Sequence, residues 1–489
     1  MPSKDAIKTD LLIVGAGFSG IAVALEAMRQ GMTNIIILEK ADDIGGTWRE
    51  NTYPGVACDV PSHLYCLANH PNPNWSDFYA SGHEIQNYLK VVAQSEGIYA
   101  ITRFGREVTD ARWMDAERAW TVKTDTGEVY RSNALIAAPG PLHVPKRPDI
   151  PGLDAFAGKV MHSAQWDHSF DLTDTDVAVI GTGASAIQFV PNIAPLARHL
   201  TVFQRTAPWV VPRLFGKTSR LSRWLFKKAP VAQSALRAAV MSYQELLHRI
   251  FRGQKTIGRW AQNVSLWHMR HWIKDAALRE KLTPSFRIGC KRILFSREWY
   301  PALARDNVKV QTDAIVRITK GGVKTADGTT TRADVILLGT GFQVTEAPLN
   351  LPFRGVDGLR LSEAWSDVMT AYLGSSIPGF PNFFLMLGPN SGLGHNSVVL
   401  IAEAQAEHAI RMILDSRKQG LDAITPKASV HKVFQKTLQS RLAKTIWQTG
   451  GCASWYQDTN GQNTTIWPGT VKEFQTTARA ASLDDFERA

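Results

Sequence analysis

Two short stretches of the chain place small residues at the spacing G-x-G-x-x-G/A, each directly after an apolar run. The small residues are Gly15, Gly17 and Gly20 in the first stretch, and Gly181, Gly183 and Ala186 in the second. Residues without bulky side chains let a backbone turn approach a pyrophosphate, and the helix that follows points its positive end at that anion. Both stretches therefore predict a strand, a phosphate-binding turn and a helix.

The residue that ends the next strand gives the first turn its ligand preference. An apolar run follows Asn34 and ends in Glu39, nineteen residues beyond Gly20. A carboxylate at this position accepts hydrogen bonds from a ribose diol and repels a 2′-phosphate. The first turn is therefore predicted to bind FAD or NAD.

The second turn has the same interval but the opposite charge. The strand that begins near Leu200 ends in Arg205, nineteen residues beyond Ala186, and Thr206 follows. A guanidinium can bind a phosphate with two parallel hydrogen bonds. The second turn is therefore predicted to prefer NADPH over NADH.

Two further apolar runs indicate where the chain passes between the two nucleotide-binding units. The run before Gly140 resembles an outgoing crossing, and the run from Ala333 to Phe342 resembles a return. We therefore predict an α/β protein with two nested Rossmann-like domains. Residues 1–140 and 345–489 would form the FAD-binding domain, and residues 141–344 would form the NADPH-binding domain with a helical insertion at about 214–275.

Composition excludes several other classes of protein. With 44% hydrophobic and 20% charged residues, the chain is typical of a globular protein. Its four cysteines form no CxxC pair, which disfavours a disulfide scaffold, a zinc site and a redox-active dithiol. The histidines show no ligand spacing that indicates a metal site. We expect a protein of the reducing cytoplasm without a membrane-spanning helix.

The net charge of +11 is concentrated in one segment, residues 216–274, with twelve lysines and arginines and a single acid, Glu245. Apolar residues between Leu236 and Phe251 recur at helical spacing, which predicts an amphipathic helix. A helical insertion with a solvated basic face explains this pattern best. Weak contact with an anionic membrane surface is a second interpretation, because several tryptophans flank the helix. No nucleic-acid-binding motif is present.

Two longer motifs resemble those of a known enzyme family. Residues 156–167 fit FxGxxxHxxxW[PD] through Phe156, Gly158, His162 and Trp166. Residues 45–59 fit [AG]GxWxxxx[FY]P[GM]xxxD, a motif that starts at Gly45 and ends at Asp59. In both motifs, and from about residue 10 to residue 470, the chain resembles the type I Baeyer–Villiger monooxygenases, nearest to the hydroxyacetophenone- and steroid-oxidising branch.

The resemblance assigns roles to individual residues. Arg292 would be the catalytic arginine, oriented by Asp59, and Lys291 would help Arg205 and Thr206 to hold the 2′-phosphate of NADPH. Trp455 would cover the nicotinamide. The resemblance also places Gly46, Thr47 and Trp48 at the cofactors. In the linker motif, Phe156, Gly158, His162 and Trp166 would couple domain movements, with no proton-transfer role for the histidine.

The reaction implied by the resemblance is the oxidation of a ketone to an ester or lactone with NADPH and dioxygen. Arg292 would stabilise the C4a-peroxyflavin that attacks the carbonyl. Two alternatives stay open at this point. The first is a flavin monooxygenase that oxidises sulfur or nitrogen centres, which Trp166 and the Lys291-Arg292 pair disfavour. The second is a membrane-associated flavin-binding module without enzymatic activity. Aryl, linear and bulky cyclic ketones are all compatible with the sequence.

Overall fold

The computed structural model describes residues 6–488, so the ends of the predicted FAD-binding domain, residues 1–5 and Ala489, lie outside the described residues. Strands and helices alternate along most of the chain. The strands are β1 (Ile7–Val14), β2 (Ile35–Glu39), β3 (Thr102–Phe104), β4 (Val108–Met114), β5 (Ala119–Thr124), β6 (Val129–Ala137), β7 (Lys159–His162), β8 (Asp176–Ile180), β9 (His199–Phe203), β10 (Val210–Val211), β11 (Leu294–Phe295), β12 (Val308–Gln311), β13 (Ile315–Thr319), β14 (Gly322–Thr325), β15 (Thr330–Arg332), β16 (Val335–Leu338), β17 (Phe353–Arg354), β18 (Phe383–Leu385), β19 (Ile424–Pro426) and β20 (Phe486–Arg488).

Helices connect and cover these strands. They are α1 (Phe18–Arg29), α2 (Thr47–Glu50), α3 (Gly82–Ser95), α4 (Ile98–Ile101), α5 (Ala186–Ile193), α6 (Arg220–Lys228), α7 (Pro230–Phe251), α8 (Lys255–Trp272), α9 (Ala276–Lys281), α10 (Trp299–Leu303), α11 (Leu361–Ala364), α12 (Val398–Lys418), α13 (Ala428–Leu442), α14 (Ile446–Thr449) and α15 (Val471–Ala480). Short 3₁₀ turns occupy Asp115–Glu117, Leu153–Ala155, Ala347–Asn350, Val356–Gly358 and Leu483–Asp485.

The larger sheet has eight strands and contains the first glycine turn. Its order is β17-β4-β5-β6-β1-β2-β3, with β18 paired in parallel to β6. Strand β1 lies between β2 and β6, and all three run parallel. Leu11, Leu12 and Ile13 are fully buried, because Leu11 and Ile13 pack in a core with α1 and α12 and Leu12 packs in the core on the opposite face, with Trp120 and Phe383. Continuous apolar runs of this kind are typical of strands buried on both faces.

A second, five-stranded sheet contains the second glycine turn. Its order is β12-β9-β8-β16-β7, and every pair is parallel. The predicted return strand is β16, which lies between β8 and β7. With two parallel glycine-turn units in separate sheets, the observed architecture is the predicted α/β fold.

The outgoing and returning crossings between the sheets lie side by side. The backbone N–H of Lys146 donates to the carbonyl of Gly341, and that of Gln343 donates to Val144. Pro145 and Phe342 form an isolated bridge between these two segments. The two passages of the chain are therefore hydrogen-bonded to each other.

The predicted amphipathic helix is observed as α7, one of three helices in the basic segment. Its buried residues, among them Gln233, Val240, Gln244 and His248, follow helical spacing. The outer surface of the segment carries a patch of exposed apolar side chains, including Leu221, Trp224, Val231, Trp260 and Trp267. No helix among residues 6–488 is long and apolar enough to cross a membrane.

Two of the four cysteines form a disulfide that the sequence did not predict. Cys290 and Cys452 form a disulfide with their Cα atoms 6.1 Å apart, although 162 residues separate them in the chain. Cys58 and Cys66 are buried free thiols. The spacing along the chain contained no information about this pair, because the fold brings its two loops together. The bond joins the segment before Lys291 to the segment before Trp455.

Candidate functional site

The first glycine turn joins β1 to α1 in the manner that its sequence predicts. Gly15 has φ +103°, and a Cβ on Gly20 would lie 1.9 Å from the carbonyl oxygen of Gly15. Only glycine at position 20 lets the helix pack this closely on the turn. Glu39 at the end of β2 is buried, and one of its carboxylate oxygens accepts the N–H of Ala16 in the turn at 2.8 Å. The predicted acid therefore lies at the predicted turn.

The second glycine turn has the same construction between β8 and α5. Gly181 has φ +110°, and a Cβ there would lie 2.5 Å from the carbonyl oxygen of Gly339. Gly183 follows in the turn, and the hydroxyl of Thr182 donates to the carbonyl of Thr206 at 3.2 Å. This bond connects the turn to the end of β9, where the predicted phosphate-binding residues lie.

Two cations lie close together beside the second turn. Arg205 is exposed, and the Lys291 ammonium lies 5.2 Å from the centre of the Phe286 ring. Burial lowers the pKa of Lys291, and the neighbouring charge of Arg205 lowers it further. Within the described part of the chain, neither cation forms an ion pair with a carboxylate. Two like charges held together in this way suit a phosphate group, which would neutralise both.

The motif at residues 45–59 spans the gap between the two glycine turns. At its beginning, a Cβ on Gly46 would lie 3.2 Å from the Cα of Gly17 in the first turn. Thr47 and Trp48 begin α2, and the Trp48 indole donates to the Tyr65 hydroxyl at 3.2 Å. At the other end, the Tyr53 hydroxyl donates to Gln188 on α5 at 2.9 Å. The motif therefore contacts both nucleotide-binding units.

Arg292 and Asp59 form the central ion pair of the site. The Nε and Nη2 atoms of Arg292 each donate to a different carboxylate oxygen of Asp59, both at 2.7 Å. The charge of Asp59 raises the pKa of Arg292, so this guanidinium stays protonated. Burial by itself would raise the pKa of Asp59, but Arg292 brings it below its usual value. The predicted pairing is therefore observed, with both groups charged.

Arg292 keeps hydrogen-bonding capacity after this pairing. Its Nη1 atom donates to no group among residues 6–488, and Nη2 uses one of its two N–H bonds on Asp59. The side chain is one-third exposed and lines a small cavity. The apolar side chains of the cavity are Val60, Leu247, Ile250, Phe251, Ile293 and Phe295. Three N–H groups of a permanent cation are thus available next to an apolar space.

The linker motif packs against the five-stranded sheet and the return crossing. A Cβ on Gly158 would come within 2.2 Å of the carbonyl oxygen of Asp334, so glycine packs closely against that group. Phe156 is part of a hydrophobic core on this sheet. His162 is buried at the end of β7 with its ring 6.0 Å from that of Phe342 on the return crossing. Burial lowers the pKa of His162, so the ring is neutral at pH 7. Trp166 packs against Phe189 on α5.

Trp455 lies differently from what the resemblance suggests. Its side chain is 45% exposed and is not part of the wall of the cavity beside Arg292. The next residue, Tyr456, is buried, and its pKa of about 12 reflects burial first and the nearby charges of Arg292 and Asp59 second. In the loop that carries these two residues, Tyr456 rather than Trp455 is therefore the aromatic ring near Arg292.

No group of three or more potential ligands that could hold a metal ion occurs in the described part of the chain. The described residues bring together two glycine turns and a partly exposed cation beside a largely apolar cavity.

Comparisons with known proteins agree with this arrangement. Residues 12–225 match the family model described as pyridine nucleotide-disulphide oxidoreductase. A Baeyer–Villiger monooxygenase of Streptomyces coelicolor is 42% identical over 97% of this chain and 92% of its own length. A Baeyer–Villiger monooxygenase of Pseudomonas aeruginosa is 39% identical over 96% of this chain and 89% of its own length. The chain belongs to the Baeyer–Villiger monooxygenase family.

Solved structures extend the similarity to three dimensions. Cyclohexanone monooxygenase from Rhodococcus sp. Phi1 bound to NADP⁺ superposes with a TM-score of 0.87 at 27% identity and covers 99% of both chains. A complex of OTEMO with FAD and NADP also has a TM-score of 0.87, at 27% identity over 99% of this chain and 100% of that protein. The predicted family, fold class and cofactor pair of this monooxygenase are therefore confirmed, and the heteroatom-oxidising and non-enzymatic alternatives are not favoured.

Four polar residues of the monooxygenase near Arg292 were missed in the sequence. Gln244, His395 and Asn396 line the cavity, and Glu245 lies behind His395. Their positions depend on how α7 packs against the loop before α12, which no local pattern reveals. One signal in the sequence could have drawn attention to Glu245, because it is the only acid in a segment with twelve basic residues.

Proposed function

We propose that this chain oxidises ketones to esters or lactones with NADPH and dioxygen, and that Arg292 is its catalytic residue. The observation that carries the proposal is the pairing of Arg292 with Asp59 at the edge of an apolar cavity, with three N–H groups still available. Asp59 is the positioning partner, because its two hydrogen bonds fix the plane of the guanidinium.

The cofactors follow from the two glycine turns. FAD would be held by Gly15, Gly17, Gly20 and Glu39, with Gly46, Thr47 and Trp48 nearby, and would supply the redox and oxygen-activating chemistry. NADPH would be held by Gly181 and Gly183, with Arg205, Thr206 and Lys291 around its 2′-phosphate. In this scheme residues 1–140 and 345–489 form the FAD-binding domain, and residues 141–344 form the NADPH-binding domain.

The role of Arg292 follows from the charge that develops during ketone oxygenation. A carbonyl oxygen becomes negatively charged when a nucleophile adds to its carbon, and a fixed cationic donor stabilises that charge most in a site from which water is excluded. Arginine suits this position because it remains charged when partly buried and presents several N–H groups in one plane. The apolar residues of the cavity lie beside it.

The linker and the C-terminal loop would support this chemistry without taking part in it. We propose that the linker motif couples movements of the two nucleotide-binding units, because it packs against the five-stranded sheet, α5 and the return crossing through Phe156, Gly158, His162 and Trp166. Trp455 would cover the nicotinamide only if its loop moves inward from its exposed position.

The proposed activity is tested by supplying the FAD-loaded protein with NADPH and a panel of aryl, linear and cyclic ketones. We expect NADPH consumption that depends on the ketone, with an ester or lactone identified by gas chromatography–mass spectrometry. Sulfides and tertiary amines serve as the comparison panel. Oxidation of these compounds without any ester from any ketone would contradict the proposal.

We also propose that the basic segment makes weak contact with anionic membranes. Exposed tryptophan and aliphatic side chains are interspersed with lysine and arginine along α6 and α8. This combination suits the interface of an anionic bilayer, where apolar side chains enter the headgroup region and cations meet lipid charges. Two copies of the segment would repel each other, which disfavours a dimer through this surface.

Vesicle co-sedimentation tests this contact. We expect binding to vesicles that contain phosphatidylglycerol and little binding to pure phosphatidylcholine, with the binding weakened by salt. Replacing both Leu221 and Trp224 with serine should reduce the bound fraction several-fold, because their apolar area drives insertion. Val91→Ser removes an equally exposed residue outside the segment and should have no effect. Equal binding to both vesicle types would contradict the proposal.

A further inference from the structure

The cavity beside Arg292 has polar side chains that the proposed reaction does not use. Gln244 enters its wall from α7, and His395 enters from the loop before α12. Between them the wall is apolar, with Leu247, Ile250 and Phe251. A few polar groups in an otherwise apolar cavity determine how a ligand is oriented.

His395 is buried without satisfying its hydrogen-bonding groups. Its side chain has no exposed surface, and neither ring nitrogen has a hydrogen-bond partner in the part of the chain that the structure describes. The ring of His248 lies 4.6 Å away, centre to centre, and offers no bond. Burial of a polar ring without a partner is unfavourable, so this position indicates a group that arrives with a ligand.

Glu245 lies on one side of this ring. Its Oε1 atom accepts the side-chain N–H of Asn396 at 2.7 Å and the backbone N–H of Val471 at 3.2 Å. The same oxygen lies 3.6 Å from Nε2 of His395. A carboxylate on this side favours the proton on Nε2, which leaves Nδ1 as an acceptor when the ring is neutral. The single acid of the basic segment thus serves to orient a cavity residue.

Gln244 supplies the second polar group. It is 9% exposed, and its side-chain amide forms no hydrogen bond within residues 6–488. An amide can donate through its NH₂ group and accept through its oxygen. A hydroxyl group can satisfy both residues at once, by donating to Nδ1 of His395 and accepting from Gln244.

We infer that His395 and Gln244 are specificity-determining residues that bind a hydroxyl group of the substrate, so that this cavity selects hydroxylated ketones over purely hydrocarbon ones. The inference rests on the proposed function, because it takes the cavity beside Arg292 as the ketone site. Glu245 is a positioning residue that acts through His395.

The test compares two ketones of similar size, 4-hydroxycyclohexanone and 4-methylcyclohexanone, with the FAD-loaded protein. We expect the wild type to prefer the hydroxylated ketone by about tenfold in kcat/KM, which is the effect of one or two hydrogen bonds. The ratio of dissociation constants, measured by titration calorimetry without NADPH, should show the same preference. His395→Leu and Gln244→Leu should each reduce both preferences several-fold and leave the methyl ketone within about twofold of its wild-type values.

A matched control separates this role from a structural one. His408 is also buried without a hydrogen-bond partner among the described residues, but it packs against Phe384 and Phe486, away from the cavity. His408→Leu should leave the preference for the hydroxylated ketone unchanged. If His395→Leu and Gln244→Leu lowered kcat/KM equally for both ketones, the inference would be overturned.

The inference and the proposed function fail in different ways. A wild-type protein that produces lactone from both ketones with equal efficiency would overturn the inference and leave the proposed function intact. A protein that produces no ester or lactone from any ketone would contradict the proposed function. The calorimetric preference tests the inference in either case.

Discussion

Replacing Arg292 with alanine should abolish ester formation while FAD remains bound and NADPH still reduces it. Among residues 6–488, the variant removes the one guanidinium that lines the cavity, together with its three available N–H groups. Loss of a fixed donor to a developing oxyanion lowers kcat by about 10²- to 10³-fold. Because the lost charge acts after reduction of the flavin, stopped-flow absorbance should show flavin reduction at a near-normal rate, while product analysis shows no ester.

Two companion variants make this experiment specific. Arg292→Lys retains the charge but not the planar pair of bonds to Asp59, so it should recover little of the activity. Arg305→Ala removes an arginine whose side chain, within the described residues, bonds to Asn307 alone, and it should leave ester formation unchanged. Removing one partner of a buried ion pair also destabilises a protein, so the melting temperature and FAD content of each variant must be recorded. A normal yield of ester from Arg292→Ala would contradict the assignment.

Replacing Arg205 with alanine should raise the KM for NADPH and leave kinetics with NADH nearly unchanged. Arg205 lies close enough to Lys291 for its charge to lower the pKa of that ammonium, although no carboxylate among the described residues neutralises either group. A charged hydrogen bond to phosphate contributes about 1.5 to 3 kcal/mol, so kcat/KM for NADPH should fall by about 10- to 100-fold. NADH has no 2′-phosphate, so kcat/KM for NADH should not change.

The measurement is steady-state NAD(P)H oxidation with both nucleotides at several concentrations. Arg317→Ala is a suitable control, because Arg317 is an exposed arginine on β13 without an ion pair in the described structure. The selectivity for NADPH of the Arg205→Ala variant should also become less sensitive to salt, since one screened charge interaction is gone. An equal fall in kcat/KM for NADPH and NADH in Arg205→Ala would exclude Arg205 as the phosphate ligand.

Much of the nucleotide-binding architecture could be predicted because its determinants are local. The glycine spacing, the strand that follows and the residue that ends that strand lie within about 25 residues of each other. The structure places Glu39 on the first turn, and Arg205 with Lys291 beside the second. The pairing of Arg292 with Asp59 spans 233 residues and was predictable only through the family motifs.

The remaining features arise from contacts between distant segments, to which sequence periodicity is insensitive. Gln244 and His395 both occur in stretches that look like ordinary helix and loop, and only the packing of α7 against the loop before α12 brings them to one cavity. The exposed position of Trp455 likewise depends on the conformation of an irregular loop. The sequence did not predict the disulfide between Cys290 and Cys452 for the same reason.

The bond between Cys290 and Cys452 is a covalent anchor between the segment that carries Arg292 and the loop that carries Trp455. One side of this anchor is continuous with Lys291 and Arg292, and the other is three residues from Trp455. Because the two joined ends cannot separate, any inward swing of Trp455 would pivot about a point fixed close to Arg292. In a reducing medium the anchor becomes two thiols, and the same swing is then restrained only by non-covalent contacts such as the hydrogen bond from Arg287 to Gly450.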